Sequence, residues 1–301
     1  MFLNKLFLFT LVFLLWGFSS VLAWQQVQVD VEIQEDKSFQ ELQDQGLRKG
    51  FNLAVIQDSQ RMVPGELSEE RKEMLGEHLE WKINDLVLGY RIFSREETDD
   101  RLQMDLEVNV DTGALRNILK RMGVYYTSAS PWKYDLSTRG SSPGDFGMLE
   151  RLQTITGVEV DADAPTSVLL VRLQNGSWSG TIEYKDISHE VSGGDLYRVW
   201  FDLWAFFFTR PEVTSEMTVD FLLKTTGWAT SDAIMHFDEI LLSWEQKVEK
   251  GSILFIDTDI PSFRAGWSLT TLNPDLLKQR LEEYLPPRGI YHTIDENTRQ
   301  D

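Results

Sequence analysis

Four histidines, two aspartate pairs and a surplus of tryptophan are the residues of this chain that could do chemistry. His78, His189, His236 and His292 are scattered, and none belongs to an H-E-x-x-H pair of the kind that holds zinc. His236 and Glu239 share a helical face and offer two ligands, where a metal site usually takes three or four. Asp161/Asp163 and Asp257/Asp259 carry oxygen ligands, yet neither pair has the glycine and distal glutamate of a calcium loop. Solvated turn carboxylates are the simpler reading. Gly176-Ser177-Trp178-Ser179-Gly180 has the outline of a nucleophile elbow with tryptophan where the serine belongs, and Asn175 before it marks a hairpin turn instead. Gly193-Gly194 lacks the lysine and hydroxyl residue of a phosphate loop. The sequence therefore nominates no catalytic residue, no metal ligand and no cofactor.

The tryptophans are the remaining candidates. Trp178, Trp228 and Trp267 fall on expected strands or turns, where an indole face could stack on a sugar or a partner. Trp200 and Trp204 belong to an apolar helix. Aromatic rings bury much area, so core packing is the competing expectation for all of them.

Composition narrows the setting. Lys5, the apolar run 6–16 and the small residues Gly17, Ser19, Ser20 and Ala23 form an export signal with an expected cut after Ala23. The alternative is an uncleaved anchor over 6–23, the chain's only expected hold on a membrane. There is no cysteine, which excludes disulfides, thiol catalysis and a lipidated N-terminal cysteine. Without residues 1–23, 28 basic side chains face 48 acidic ones, and the formal charge moves from −19 to −20. Such a chain repels nucleic acid and anionic membranes and favours solubility or a basic partner.

The elements that would position these residues follow from the apolar spacing. Residues 25–34 alternate as a strand, and Ser38 with Glu41 forms a capping box for a helix ending near Pro64-Gly65. Ser68 starts a second helix; strands at 85–94 and 101–110, a short helix closed by Gly123 and a strand at 124–127 follow. Residues 128–144, rich in Ser, Pro and Gly, read as a linker. Next come a helix near 146–155, a hairpin on Asn175-Gly176, and the run 195–210, greasy on nearly every side and capped by Asp195. Its apolar core of about ten residues is too short to span a bilayer, so it reads as the central core helix. A strand at 216–224, a helix from Ser231, a hairpin at 252–259 and 264–272, a helix from Asn273-Pro274 and a strand at 289–293 complete the chain.

The order repeats: 68–127 and 231–293 both read helix, strand, turn, strand, short helix and glycine-led aromatic strand. The expected class is α+β, with two or three consecutive split βαβ modules. The expected division is a signal at 1–23, a module at 24–127, the linker at 128–144, an α+β region at 145–294 and a disordered tail at 295–301. Within the C-terminal region the pattern allows two fused modules, about 145–226 and 216–294.

Over residues 24–123 the chain resembles the N-terminal module of bacterial flagellar assembly protein T. The likeness rests on the leading strand, GLRKGFNLAVIQDSQRMVPGEL, LVLGYRIFSRE and LQMDLEVNVDTGALRNILKRMG. It covers a third of the chain and transfers no functional residue. It implies a non-enzymatic periplasmic factor that helps assemble a ring around the flagellar basal body. The expectation is a scaffold or assembly factor of the cell envelope with a protein partner. An envelope glycan-binding module, resting on the tryptophans, is the alternative.

Overall fold

The computed structural model describes residues 24–34, 36–244, 247–258 and 263–296. The expected export segment and residues 297–301 lie outside them. In chain order the elements are β1 (Gln25–Glu32), α1 (Phe39–Met62), α2 (Glu69–Leu79), α3 (Ile83–Leu86), β2 (Val87–Glu97), β3 (Arg101–Val110), α4 (Thr112–Arg121) and α5 (Val124–Thr127). Then follow β4 (Trp132–Arg139), α6 (Pro143–Thr156), β5 (Val158–Val160), β6 (Thr166–Arg172), β7 (Trp178–Tyr184), β8 (Ile187–Gly193), α7 (Leu196–Phe208) and α8 (Pro211–Thr214). The last are β9 (Val219–Trp228), α9 (Ser231–Leu242), β10 (Lys250–Asp257), β11 (Phe263–Thr271), α10 (Pro274–Tyr284) and β12 (Tyr291–Glu296). The fold is α+β, and the described chain divides into two units, 24–55 with 81–111 and 56–80 with 112–296.

The first unit holds a three-stranded antiparallel sheet in the order β1-β3-β2. Val27, Val29 and Val31 are buried on one face of β1, while Gln26, Gln28, Asp30 and Glu32 are exposed on the other. The capping box forms: Ser38 N–H donates to Glu41 at 2.7 Å, and Glu41 N–H returns to the Ser38 hydroxyl at 3.4 Å. The Ser38 N–H bond first, and then the Ser38 hydroxyl donating to the same carboxylate at 2.8 Å, hold the Glu41 carboxyl below its ordinary range.

The second unit carries two sheets, each with its own core. The C-terminal sheet, β10-β11-β9-β12, is wholly antiparallel. With α9 and α10 it is a complete split βαβ: strand, helix, two strands, helix and a closing strand beside the first. The other sheet is mixed. β4 lies parallel to both β5 and β6, and β6, β7 and β8 continue as an antiparallel meander, giving the order β5-β4-β6-β7-β8. Helix α7 packs on β7 and β8, with Trp200, Leu203, Trp204 and Phe207 fully buried. Asp195 caps it by accepting the Arg198 N–H at 2.8 Å. The run 195–210 is thus a core helix.

Several expectations need correction. The linker at 128–144 contains β4: Tyr134 is fully buried, and the Trp132 indole N–H donates to Thr166 Oγ1 at 3.0 Å. The breaker-rich residues flanking this strand hide its alternation. Residues 124–127 form a helical turn, so the first unit has the three strands of a split βαβ without the fourth. Strand β8 fills the stretch before Gly194, where the sequence pointed only to the cap of the next helix. Asp295 and Glu296, expected in a frayed tail, pair with Leu222 and Phe221 in β12.

Candidate functional site: a groove beside an open sheet edge

Strand β8 pairs with β7 and has no second strand beside it among the described residues. Its side chains alternate, with Ile187, His189 and Val191 half-buried on the helix side and Ser188, Glu190 and Ser192 exposed on the other. Beside this edge His189 and Val191, Asp202, Ala205, Phe206 and Thr209 of the α7 end, and Arg121 at the end of α4 line an open groove of about 540 Å³.

Phe206 is its centrepiece. The His189 ring stacks on one side with centroids 3.8 Å apart and planes 11° apart, and the Arg210 guanidinium sits 3.9 Å from the ring centroid. Thr209 donates its hydroxyl proton back to the carbonyls of Ala205 and Phe206 at 2.8 and 2.9 Å, so that polar group is satisfied by the helix end. Asp202 is answered by Arg198 at 3.6 Å. Arg121 is exposed and makes no hydrogen bond or ion pair among the described residues. The groove therefore combines the edge of an aromatic ring held between His189 and Arg210, the Arg121 guanidinium and a row of strand backbone.

The three nominated tryptophans are elsewhere. Trp178, Trp228 and Trp267 all lie in the cores, at most 5% exposed. Trp228 N–H donates to Thr225 Oγ1 at 2.6 Å and Trp267 N–H to Asp238 at 2.9 Å. Both indole faces are covered by packing, so none of the three is a stacking platform for a sugar. Nothing in the sequence marks Phe206, since it sits inside an apolar run most of whose members are core, and only its place at the helix flank sets it apart.

The histidines are dispersed. His78 joins the Tyr197 hydroxyl, His236 faces Glu239 at 3.5 Å on the exposed face of α9, and His292 faces Glu282 at 3.5 Å. Asp161 accepts from Lys133 at 3.0 Å and from the Asp163 N–H at 3.1 Å, with the lysine bond first among the causes that hold its carboxyl low. Asp257 faces Arg264 at 3.4 Å, and Asp259 lies outside the described residues. Among the described residues no three His, Asp or Glu side chains come together as a metal site.

Burial raises the Tyr134 phenol well above its ordinary range, and the other large pKa shifts belong to a polar knot inside the second unit. Arg71 is buried, and its guanidinium donates to Ile155 O at 3.1 Å, Thr127 O at 3.2 Å and Thr127 Oγ1 at 2.7 Å. Burial pulls its pKa down to about 10. Tyr125 donates to Glu249 at 2.8 Å, and Lys120 pairs with the same carboxylate. Burial, then the Glu249 charge, pushes the Tyr125 and Tyr126 phenols well above their ordinary range. These groups brace α2, α5, α6 and the start of β10, and none faces the groove.

An edge strand and a helix end flank this groove, the arrangement on which an extended chain can add by strand pairing. No protein-family model matches the chain, and no curated protein matches it.

Proposed function

We propose that this protein is a non-enzymatic scaffold or assembly factor exported to the bacterial periplasm, holding a protein partner through its second unit. The observation that carries the reading is the open β8 edge with the Phe206 groove beside it, which offers backbone and side-chain contacts to another chain. The expected signal at 1–23 supports the compartment, and the resemblance over 24–123 supports association with the flagellum. Burial of Trp178, Trp228 and Trp267 takes away the feature on which glycan binding rested.

The test is crosslinking of the full-length protein in intact cells, followed by fractionation and N-terminal sequencing. The expected result is a periplasmic chain starting at Trp24 in stoichiometric complex with an envelope protein. A cytosolic chain, or one held on peptidoglycan and released by free sugar, overturns the reading.

A further inference from the structure

The groove lies beside an edge strand that is paired on one side only among the described residues. The described edge strands differ in how they are closed to further pairing. β2 shifts register twice and β10 once, and β5 is three residues long. Lys49 donates to the Asp30 carbonyl of β1 at 3.4 Å. On β12, Asp295 and Glu296 are tied to Lys224 and Lys278 at 2.9 and 2.8 Å. Bulges, short length and lysines are the devices that stop edge strands from adding another chain. β8 shows none of them: its seven residues run in unbroken register with β7.

A strand laid along β8 would alternate its side chains between solvent and the α7 flank. The inward ones would enter the space bounded by Val191, Ala205 and Phe206, with Arg121 at its rim. Charge selects among such strands. The whole chain is strongly acidic, which favours basic partners at long range. Within a Debye length of about 8 Å the local groups decide instead. On the helix side they are Arg121, with no ion pair among the described residues, and Arg210 on the Phe206 ring; Asp202 is already answered by Arg198, and the β8 carboxylate Glu190 stands on the opposite face of the sheet. His189, from β8 itself, stacks against the same ring.

We infer that the second unit binds an extended segment of a partner protein as a sixth strand on β8, with apolar inward residues and a carboxylate side chain at Arg121. The inference rests on the scaffold reading and names the chemistry of its partner. Its failure would leave the crosslinked complex and the compartment of the preceding test unaffected.

Two capped octapeptides serve as probes, each alternating Ser with an inward residue, the inward residues being Val except for one Glu in the first (the Val–Glu peptide) and one Lys in the second (the Val–Lys peptide), added to the mature chain starting at Trp24. The Val–Glu peptide should bind at least tenfold more tightly and slow amide exchange at alternate residues of β8. Arg121→Glu, a substitution at an exposed side chain, should reverse the preference while leaving the melting temperature unchanged. Methylating alternate peptide amides should abolish binding in one phase and spare it in the other, the signature of strand pairing. Equal binding of the two peptides, protection outside β8, insensitivity to Arg121→Glu, or no binding of either peptide at millimolar concentration each overturns the proposal.

Discussion

Residues 123–127, Gly-Val-Tyr-Tyr-Thr, and 289–293, Gly-Ile-Tyr-His-Thr, look alike and fold differently. Each glycine has a left-handed backbone, with φ of 83° at Gly123 and 74° at Gly289. After Gly289 the chain becomes β12, pairing with β9, and leaves Tyr291 75% exposed. After Gly123 it turns into α5, with Val124, Tyr125 and Thr127 all buried. A strand sends alternate side chains to opposite faces, which suits a partly exposed edge. One helical turn can direct neighbouring side chains into a surrounding core, as 124–127 requires. The surroundings decide, since Arg71, Glu249 and Thr156 provide polar partners for the first segment and none of them touches the second.

The strongest way to break this comparison is alanine at the two glycines. A Cβ on Gly123 would meet the Phe208 ring at 2.2 Å, whereas nothing lies within 4 Å of one on Gly289. Gly123→Ala adds overpacking to the left-handed penalty and should cost about 3–5 kcal/mol, measured as a lowered urea midpoint at unchanged slope. Arg71→Met comes next. It removes the donor from two buried carbonyls and should cost about 2–3 kcal/mol, because each stranded acceptor costs about 1–3 and the lost desolvation of the cation returns part of it. Loss of protection at residues 124–127 in amide exchange would locate the damage.

Much of the architecture was legible beforehand, because alternation and caps are local. Val27 to Val31, the β6–β7 hairpin, the Asp195 cap and the buried face of α7 follow from spacing alone, although the hairpin turn is closed by Gly176 N–H on Leu173 O rather than over Asn175-Gly176 as two residues. The fate of 124–127 does not, since it depends on Arg71 and Glu249, which lie 56 and 124 residues away. The groove was hidden for a related reason. Phe206 differs from Phe207 and Phe208 only in facing an edge strand that the sequence did not reveal. An open edge is also a property of a sheet, which no single strand's pattern displays.

A smaller effect sharpens the comparison at high pH. The folded state holds the Tyr125 and Tyr126 protons beyond the ordinary range, while the unfolded chain releases them near pH 10. Their contribution is complete below about pH 10 and falls as the pH rises above it. Arg71 acts in the opposite sense. Burial disfavours its charged form, so deprotonation past about pH 10 relieves a penalty. Two phenols outweigh one guanidinium, and the urea midpoint should fall between pH 9 and pH 11. A Tyr125→Phe/Tyr126→Phe double variant should show a shallower fall, the remainder coming from the Tyr134 phenol, which burial also raises. The smallest effect is Gly289→Ala, which carries the backbone penalty alone and should cost about 1–2 kcal/mol, with β12 intact by amide exchange.

The Arg71 knot also sets an order of events in folding. Its guanidinium gathers Thr127 from 56 residues away and Ile155 from 84, and closing a loop of that length costs about 3–4 kcal/mol before any contact repays it. A four-residue helix cannot nucleate alone. The turn at 124–127 therefore forms only once α2 and α6 have met around it. It is a late arrival, and a chain stalled before that meeting is free to take 124–127 as the strand its sequence suggests.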